Sequence, residues 1–321
     1  MARKAIIFGN GLGMALDPQA FSLAQAMHDV WHLNDFLTGA ERTLISQTLG
    51  DVNAIPQTEE QLDILHQAVG ACKTLNRILS PQLHWLTPDG QNFPSAVAKY
   101  IQKVAARLHL VDADLPAAFV DPLIQFVMQT KTHVATLNYD RLLYGIFIDR
   151  GILSGYDGAL VDGIYAAGFT DSNLLRKFGR SFGYYLHLHG SPLFYDDNRV
   201  VKKMLRSDLS MYNVNESEHI VLTHVRHKRS VIAASPLLLT YWSYLRFSLR
   251  EADSIIVFGY SGCDTHLNEI ITMHGHNKNI TVVEWDGAGS QGSRSIYWSS
   301  LFGGCNVNLI QMSNILDFRA W

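Results

Sequence analysis

Cysteine is scarce. The 321-residue chain holds three, Cys72, Cys263 and Cys305, far apart and with no Cys-x-x-Cys pair. That spacing excludes a cysteine-based zinc ribbon, argues against a disulfide framework and fits a reducing compartment, so the expected location is cytoplasmic. Long apolar runs are missing too. Ser254-Ile-Ile-Val-Phe-Gly259 is typical, far below the roughly 20 residues a membrane helix needs. The apolar stretch Ala5–Phe8 is too brief for a signal peptide and reads as a first strand. Neither sign of charge dominates: 26 Lys+Arg stand against 29 Asp+Glu, a formal charge of −3. This balance argues against a surface built to grip phosphate backbones or anionic lipid. The cluster His224-Val-Arg-His-Lys-Arg229 is the one pointer to nucleic acid and reads as a solvated basic loop. There is no repeat of fixed period, no low-complexity tract and no Walker-type phosphate loop.

What is present suits a large core. Hydrophobic residues make up 47% and charged residues 17%, which rules out general disorder. Short apolar or β-branched runs recur at Ala5–Phe8, His133–Leu137, Tyr184–Leu188, Ser254–Phe258, Asn279–Glu284 and Asn306–Ile310. They read as buried parallel strands. Helix-like segments follow several of them, at Tyr139–Arg150, Thr265–His274 and Ser293–Phe302, and another, Ser235–Arg250, precedes the strand at Ser254. The expectation is an α/β, Rossmann-like, doubly wound and mostly parallel sheet. Between the first two strands, helical spacing dominates in Phe21–Trp31, Glu59–Leu79, Pro94–Leu110 and Leu115–Gln129. Pro56, Pro81, Pro94 and Pro116 mark its boundaries, and Thr58-Glu-Glu and Ser80-Pro give start and stop signals. Residues 18–131 therefore read as a helical insertion, and 1–17 with 132–321 as the Rossmann-like domain.

Five segments at strand ends could carry chemistry. Phe8-Gly-Asn-Gly-Leu-Gly13 lets backbone amides approach a ligand, or simply makes a tight strand-to-helix turn; Met14 stands where a dinucleotide fingerprint has its last glycine. In Thr136-Leu-Asn-Tyr-Asp140, Asn138 can both donate to and accept from a ribose or a water, while Asp140 could equally cap the next helix. In Leu186-His-Leu-His-Gly-Ser191, His189 lies nearer the mouth of the sheet and could titrate near neutral pH; His187 reads as a core histidine. Gly259-Tyr-Ser-Gly-Cys-Asp264 offers Ser261 and loop amides at a helix start, with Asp264 as N-cap. It is not a Gly-x-Ser-x-Gly nucleophile elbow. In Glu284-Trp-Asp286, Glu284 either accepts a ribose hydroxyl or sits in a solvated loop.

Taken in order, Gly9-Asn-Gly11, Thr136-x-Asn138-Tyr-Asp140, Leu188-His-Gly-Ser191 and Phe258-Gly-Tyr-Ser-Gly-x-Asp264 resemble the sirtuin family, specifically the bacterial sirtuin-like NAD-hydrolase branch of anti-phage defence systems. The resemblance spans nearly all of the Rossmann-like part; residues from about 18 to 131 match only as a variable helical region. It implies that Asn138 and His189 are catalytic and that Gly9, Asn10, Gly11, Asp140, Ser261 and Glu284 line an NAD site. It further implies NAD as substrate with no metal, cleaved to nicotinamide and ADP-ribose by a gated effector. Such relatives act as homo-oligomers or with a hexameric helicase-type (HerA-like) ATPase or an Argonaute-like protein, so nucleic acid would be met only indirectly. A non-catalytic subunit that senses NAD or ADP-ribose is the alternative. Two departures stand against lysine deacylation: the chain has too few cysteines for the deacylases' four-cysteine zinc site, and Asn10 replaces the alanine of their Gly-Ala-Gly-Ile-Ser segment.

Overall fold

The structure is a computed structural model that describes residues 3–34, 36–78, 85–210, 219–222 and 225–321, without the side chains of 225–227. Its strands are β1 (Lys4–Phe8), β2 (His133–Thr136), β3 (Leu160–Val161), β4 (Ile164–Tyr165), β5 (Gly168–Phe169), β6 (Gly183–His187), β7 (Phe194–Asp197), β8 (Val200–Lys203), β9 (Ser254–Phe258), β10 (Asn279–Trp285) and β11 (Val307–Met312). The helices are α1 (Gly11–Leu16), α2 (Leu23–Trp31), α3 (Gly39–Thr48), α4 (Glu59–Ile78), α5 (Pro88–His109), α6 (Ala117–Thr130), α7 (Leu142–Asp149), α8 (Val225–Ala234), α9 (Pro236–Glu251), α10 (Thr265–Gly275) and α11 (Gln291–Leu301).

Seven strands form one sheet in the order β11-β10-β9-β1-β2-β6-β3, and every pairing in it is parallel. The Rossmann-like, doubly wound architecture expected from the strand spacing is present. β4–β5 and β7–β8 are separate antiparallel hairpins. The central strands are buried along almost their whole length, because helices cover both faces.

Everything described between β1 and β2 is helical or loop, and it divides between two cores. Along α5, Phe93, Val97, Tyr100 and Val104 recur at helical spacing and pack with Met27 and Val30 of α2 and Leu62, Leu65 and Val69 of α4. The Tyr100 hydroxyl donates to the Met27 carbonyl at 3.0 Å, so the core's largest polar handle is satisfied. Helix α6 behaves differently: Phe119, Leu123 and Val127 enter the core of the sheet. The helical core also takes in Tyr139, Ile220 and Leu222, which seats the insert over the loop that follows β2 and the segment between β8 and α8.

Pro94 is not a boundary. Thr87 caps α5 by accepting the Gly90 amide at 3.1 Å, Pro88 occupies the first turn, and Pro94 falls inside the helix. Its missing amide and its ring fall opposite the Gly90 carbonyl, where a proline is costly but tolerated by a helix held on both sides. The basic cluster at 224–229 is likewise no solvated loop from Val225 on, because that stretch begins α8. His224, Ser80 and Pro81 lie outside the described residues.

Three histidines sit deep in this frame. His109 bonds the Tyr139 carbonyl through Nδ1 at 2.8 Å, His133 bonds Glu251 Oε2 through Nε2 at 2.7 Å, and His187 is ringed by Tyr144, Tyr185 and Phe194. Burial lowers all of them, to about 4 for His109 and His133 and about 3 for His187. Their folded values lie below the unfolded 6.5, so the unfolded chain binds more protons as the pH drops. The stability they contribute is full above pH 6.5 and is lost as the pH falls towards 4. Thermal unfolding followed by circular dichroism should show the melting temperature dropping steadily across that window. A flat profile there would contradict the placement of these rings.

Candidate functional site

β1 is the turning point of the sheet. The chain builds outward from it on one side through β2 and returns on the other as β9. The loops leaving β1 and β9 therefore diverge and open a crevice, where α/β sheets bind ligands. Before diverging they touch. The Gly9 amide donates to the Phe258 carbonyl at 2.9 Å and the Gly11 amide to the Gly259 carbonyl at 2.7 Å. A Cβ on Gly11 would stand 2.5 Å from that carbonyl oxygen, and one on Gly9 would stand 2.7 Å from it. Gly259 itself has φ +58°, a left-handed conformation that glycine adopts without penalty. These glycines let two loops share one volume. Asn10 ties the arrangement to the insert by donating Nδ2 to the Phe21 carbonyl at 3.2 Å.

The crevice widens into a cavity of about 980 Å³, at the upper end of the roughly 300–1,000 Å³ usual for small-molecule sites. Gly9, Asn10, Gly11, Asn138, Asp140, His189, Ser261 and Glu284 all line it. Pro18, Phe21, Leu23, Glu59 and Leu108 line it from the helical side. One enclosure thus gathers these eight candidate residues, while His187 lies in the core outside it.

Asn138 follows β2 and is 5% exposed. Its amide nitrogen Nδ2 donates to the Gly9 carbonyl at 3.1 Å, and its backbone amide donates to Thr136 Oγ1 at 3.0 Å. The side-chain oxygen Oδ1 has no partner among the described residues. A buried acceptor left open costs free energy unless a ligand or water fills it, and this one belongs to a cavity-lining residue. Asp140 accepts the Leu142 amide at 2.9 Å and so shapes the start of α7. Burial raises its carboxyl to about 6. With the folded value above the unfolded 3.8, its contribution to stability is lost as the pH rises through about 6, opposite in sign to the buried histidines.

His189 lies just past β6. The chain turns at Gly190, φ +81°, where a Cβ would collide with the His219 carbonyl. His189 Nε2 faces Asp264 Oδ2 at 3.0 Å. The other oxygen, Oδ1, accepts the Leu267 amide at 3.1 Å as the N-cap of α10. Lys228 of α8 also donates to Oδ2, at 3.3 Å, and has Glu59 of α4 at 3.9 Å. Burial and the Lys228 charge lower the His189 imidazole. Burial would raise Asp264, but the hydrogen bonds from His189 and the Leu267 amide and the charge of Lys228 hold it well below the usual carboxylate range. Both directions favour a neutral imidazole beside an ionised carboxylate. An ionised carboxylate only accepts, so the ring proton is on Nε2 and the lone pair on Nδ1.

Ser261 and Glu284 line the cavity from the ends of the neighbouring strands β9 and β10. Ser261 is exposed, and its Oγ accepts the Cys263 amide at 3.3 Å. Glu284 is buried, and its oxygens take hydrogen bonds from Arg294, Trp298 and Gln311. Those donors hold its carboxylate against burial and occupy the lone pairs that a ribose hydroxyl would use. The exposed indole of Trp285, the next residue, gives the same wall a flat apolar face. In the sequence Lys228 stood out only as part of a basic run and Glu59 only as part of a helix start, and Arg294 was not singled out; each acquires its role from a partner distant in the chain or on a neighbouring element.

No family model matches the chain, and no curated protein matches its sequence. Among solved structures, the chain is similar to one described as "Structural Basis for the Mechanism and Regulation of Sir2 Enzymes". The TM-score is 0.39 and the identity 13%, over 98% of this chain and 90% of that one.

The loop contact is open to test. Gly11→Ala pushes a methyl into the Gly259 carbonyl and should cost about 1–3 kcal/mol in urea unfolding, the usual range for overpacking. Gly292→Ala, on α11 with nothing within 4 Å of its Cβ, should be neutral or slightly stabilising. Equal effects at both positions would refute the close approach.

Proposed function

We propose that the chain is an NAD+ hydrolase that cleaves the bond between nicotinamide and ribose, giving nicotinamide and ADP-ribose. One observation carries the reading: an open, buried amide acceptor on Asn138 and the His189 imidazole, held through Nε2 by Asp264, line the same cavity at the turning point of the sheet. The order of the four motifs supports it as well.

The chemistry suits those two groups. In NAD+ the leaving ring is a pyridinium, so it departs as a neutral base and needs no general acid. The C1′–N bond breaks with its electron pair going to nicotinamide, and C1′ becomes oxocarbenium-like. A water oxygen then bonds to C1′ and gives up one proton. Asn138 Oδ1 accepts a hydrogen bond from a ribose hydroxyl or from that water and fixes its position, while Nδ2 stays bound to Gly9. His189, with Nδ1 unprotonated, takes the proton. The buried walls raise the value of each such contact by excluding bulk water.

The wider reading is a gated effector of anti-phage defence that depletes NAD+, as a homo-oligomer or with a hexameric helicase-type ATPase or an Argonaute-like partner. Its support is the motif resemblance together with the hazard of an ungated activity to its host.

Nicotinamide release from NAD+ by the purified chain, alone and with the products of neighbouring genes, is the test. His189→Ala should lower it by roughly 10²- to 10⁴-fold, the usual range for losing an acid–base group, and Asn138→Ala by roughly 10²- to 10³-fold, the range for losing a positioned hydrogen-bonding amide, while the chain still melts cooperatively. Full activity in both variants would refute the assignment. A wild-type chain that binds NAD+ without releasing nicotinamide would favour a sensor.

A further inference from the structure

Asp264 Oδ2 is shared. The His189 imidazole and the Lys228 ammonium reach the same oxygen, at 3.0 and 3.3 Å. The sharing is enforced by burial: Asp264 and Lys228 are 2% and 5% exposed and His189 is 8% exposed. Each comes from a different part of the chain: the N-cap of α10, α8, and the loop after β6. Glu59 brings in a fourth, because it opens α4 of the helical insert and lies 3.9 Å from the Lys228 ammonium. Among the described residues two tyrosines also border the group: Tyr260, whose hydroxyl bonds the Asp264 backbone and which burial keeps protonated, and Tyr139, with its ring 6.4 Å from that of His189 and its hydroxyl donating to the Val221 carbonyl. Burial keeps the Tyr139 phenol protonated as well, so neither adds charge.

We infer that Asp264, Lys228 and Glu59 form an ionic chain that positions His189 and sets the pH at which it can act as a base. Asp264 fixes the ring through Nε2 and so leaves the lone pair on Nδ1. It also favours the protonated ring electrostatically. Lys228 opposes this, because its charge at the same oxygen disfavours a second cation beside it. The balance keeps the imidazole unprotonated, the form a base requires. Glu59 partly offsets Lys228, so the position of the insert's α4 enters the balance. Displacing the start of α4 would change the charge felt by His189 without touching the histidine itself. Lys228 is thereby assigned an inward task, although it stands in a basic run.

This rests on the NAD+ hydrolase reading for its activity readout but not for its titration readout. The test pairs the pH–rate profile of nicotinamide release with an NMR titration of His189 in histidine-labelled protein, the resonance being identified by its loss in His189→Ala. Three variants are informative. Lys228→Met removes the opposing charge at similar volume, Asp264→Asn keeps an N-capping side chain while losing the carboxylate, and Glu59→Gln removes the compensating charge. The acid limb of the profile and the NMR midpoint should move to higher pH in Lys228→Met and to lower pH in Asp264→Asn and Glu59→Gln. Asp264→Asn should also lower the maximal rate about tenfold to a hundredfold, the value of a hydrogen bond to a charged group. A residue that merely supports the fold would give no such opposed shifts. Midpoints that stay put, or that move the same way in Lys228→Met and Asp264→Asn, overturn the inference. Opposed NMR shifts in a chain that releases no nicotinamide would uphold the ionic chain and refute the hydrolase reading instead.

Discussion

The site depends on a contact between two loops, each of which could easily have carried a side chain there. Gly11 donates its amide to the Gly259 carbonyl across the turning point of the sheet, at a separation that admits no Cβ. From that contact the rest follows. It sets the floor of the cavity, and it places the Gly9 carbonyl where Asn138 can hold it. With Nδ2 committed to that carbonyl, the carboxamide is oriented and Oδ1 is left over. The open acceptor is thus a consequence of backbone packing and needs no special device of its own.

The second wall is governed by charge. A histidine buried to this degree would be driven neutral by desolvation alone. Asp264 draws it the other way, and the Lys228 charge lowers it again. The arrangement costs desolvation of three polar groups and returns a ring with a defined proton position, which burial alone would not give. The helical insert takes part through Glu59 as well as through apolar residues over the cavity. It is a roof that also carries charge.

Much of this was legible in the sequence. Strands β1, β2, β6, β9 and β10 announced themselves because buried parallel strands are written as short apolar or β-branched runs, and the edge strand β11 through its Val307, Leu309 and Ile310. The candidate segments were found by one rule, that ligands gather at the carboxyl ends of such strands, and the residues within them were picked out by the motif resemblance. Other features were hidden for physical reasons. β3 is two residues long and leaves no periodic trace. Pro94 looked like a break because the rule against proline is local, whereas α5 is held by its packing. α3 has a mixed, polar sequence, although its capping box of Thr38 and Glu41 was there to be read. The pairing of His189 with Asp264 joins positions 75 residues apart, and only the folded sheet brings them together. Glu284 could be placed at a strand end from the sequence, but not its engagement with Arg294, Trp298 and Gln311.

The central claim is that a dinucleotide lies across the β1–β9 crevice with its nicotinamide ribose between Asn138 and His189. A crystal structure of the His189→Ala chain soaked with NAD+ examines it directly. The account requires density along the glycine loops, with a ribose hydroxyl or a sugar-bound water in hydrogen-bond reach of Asn138 Oδ1. A dinucleotide bound with its nicotinamide ribose away from Asn138, or bound at another surface, would contradict it.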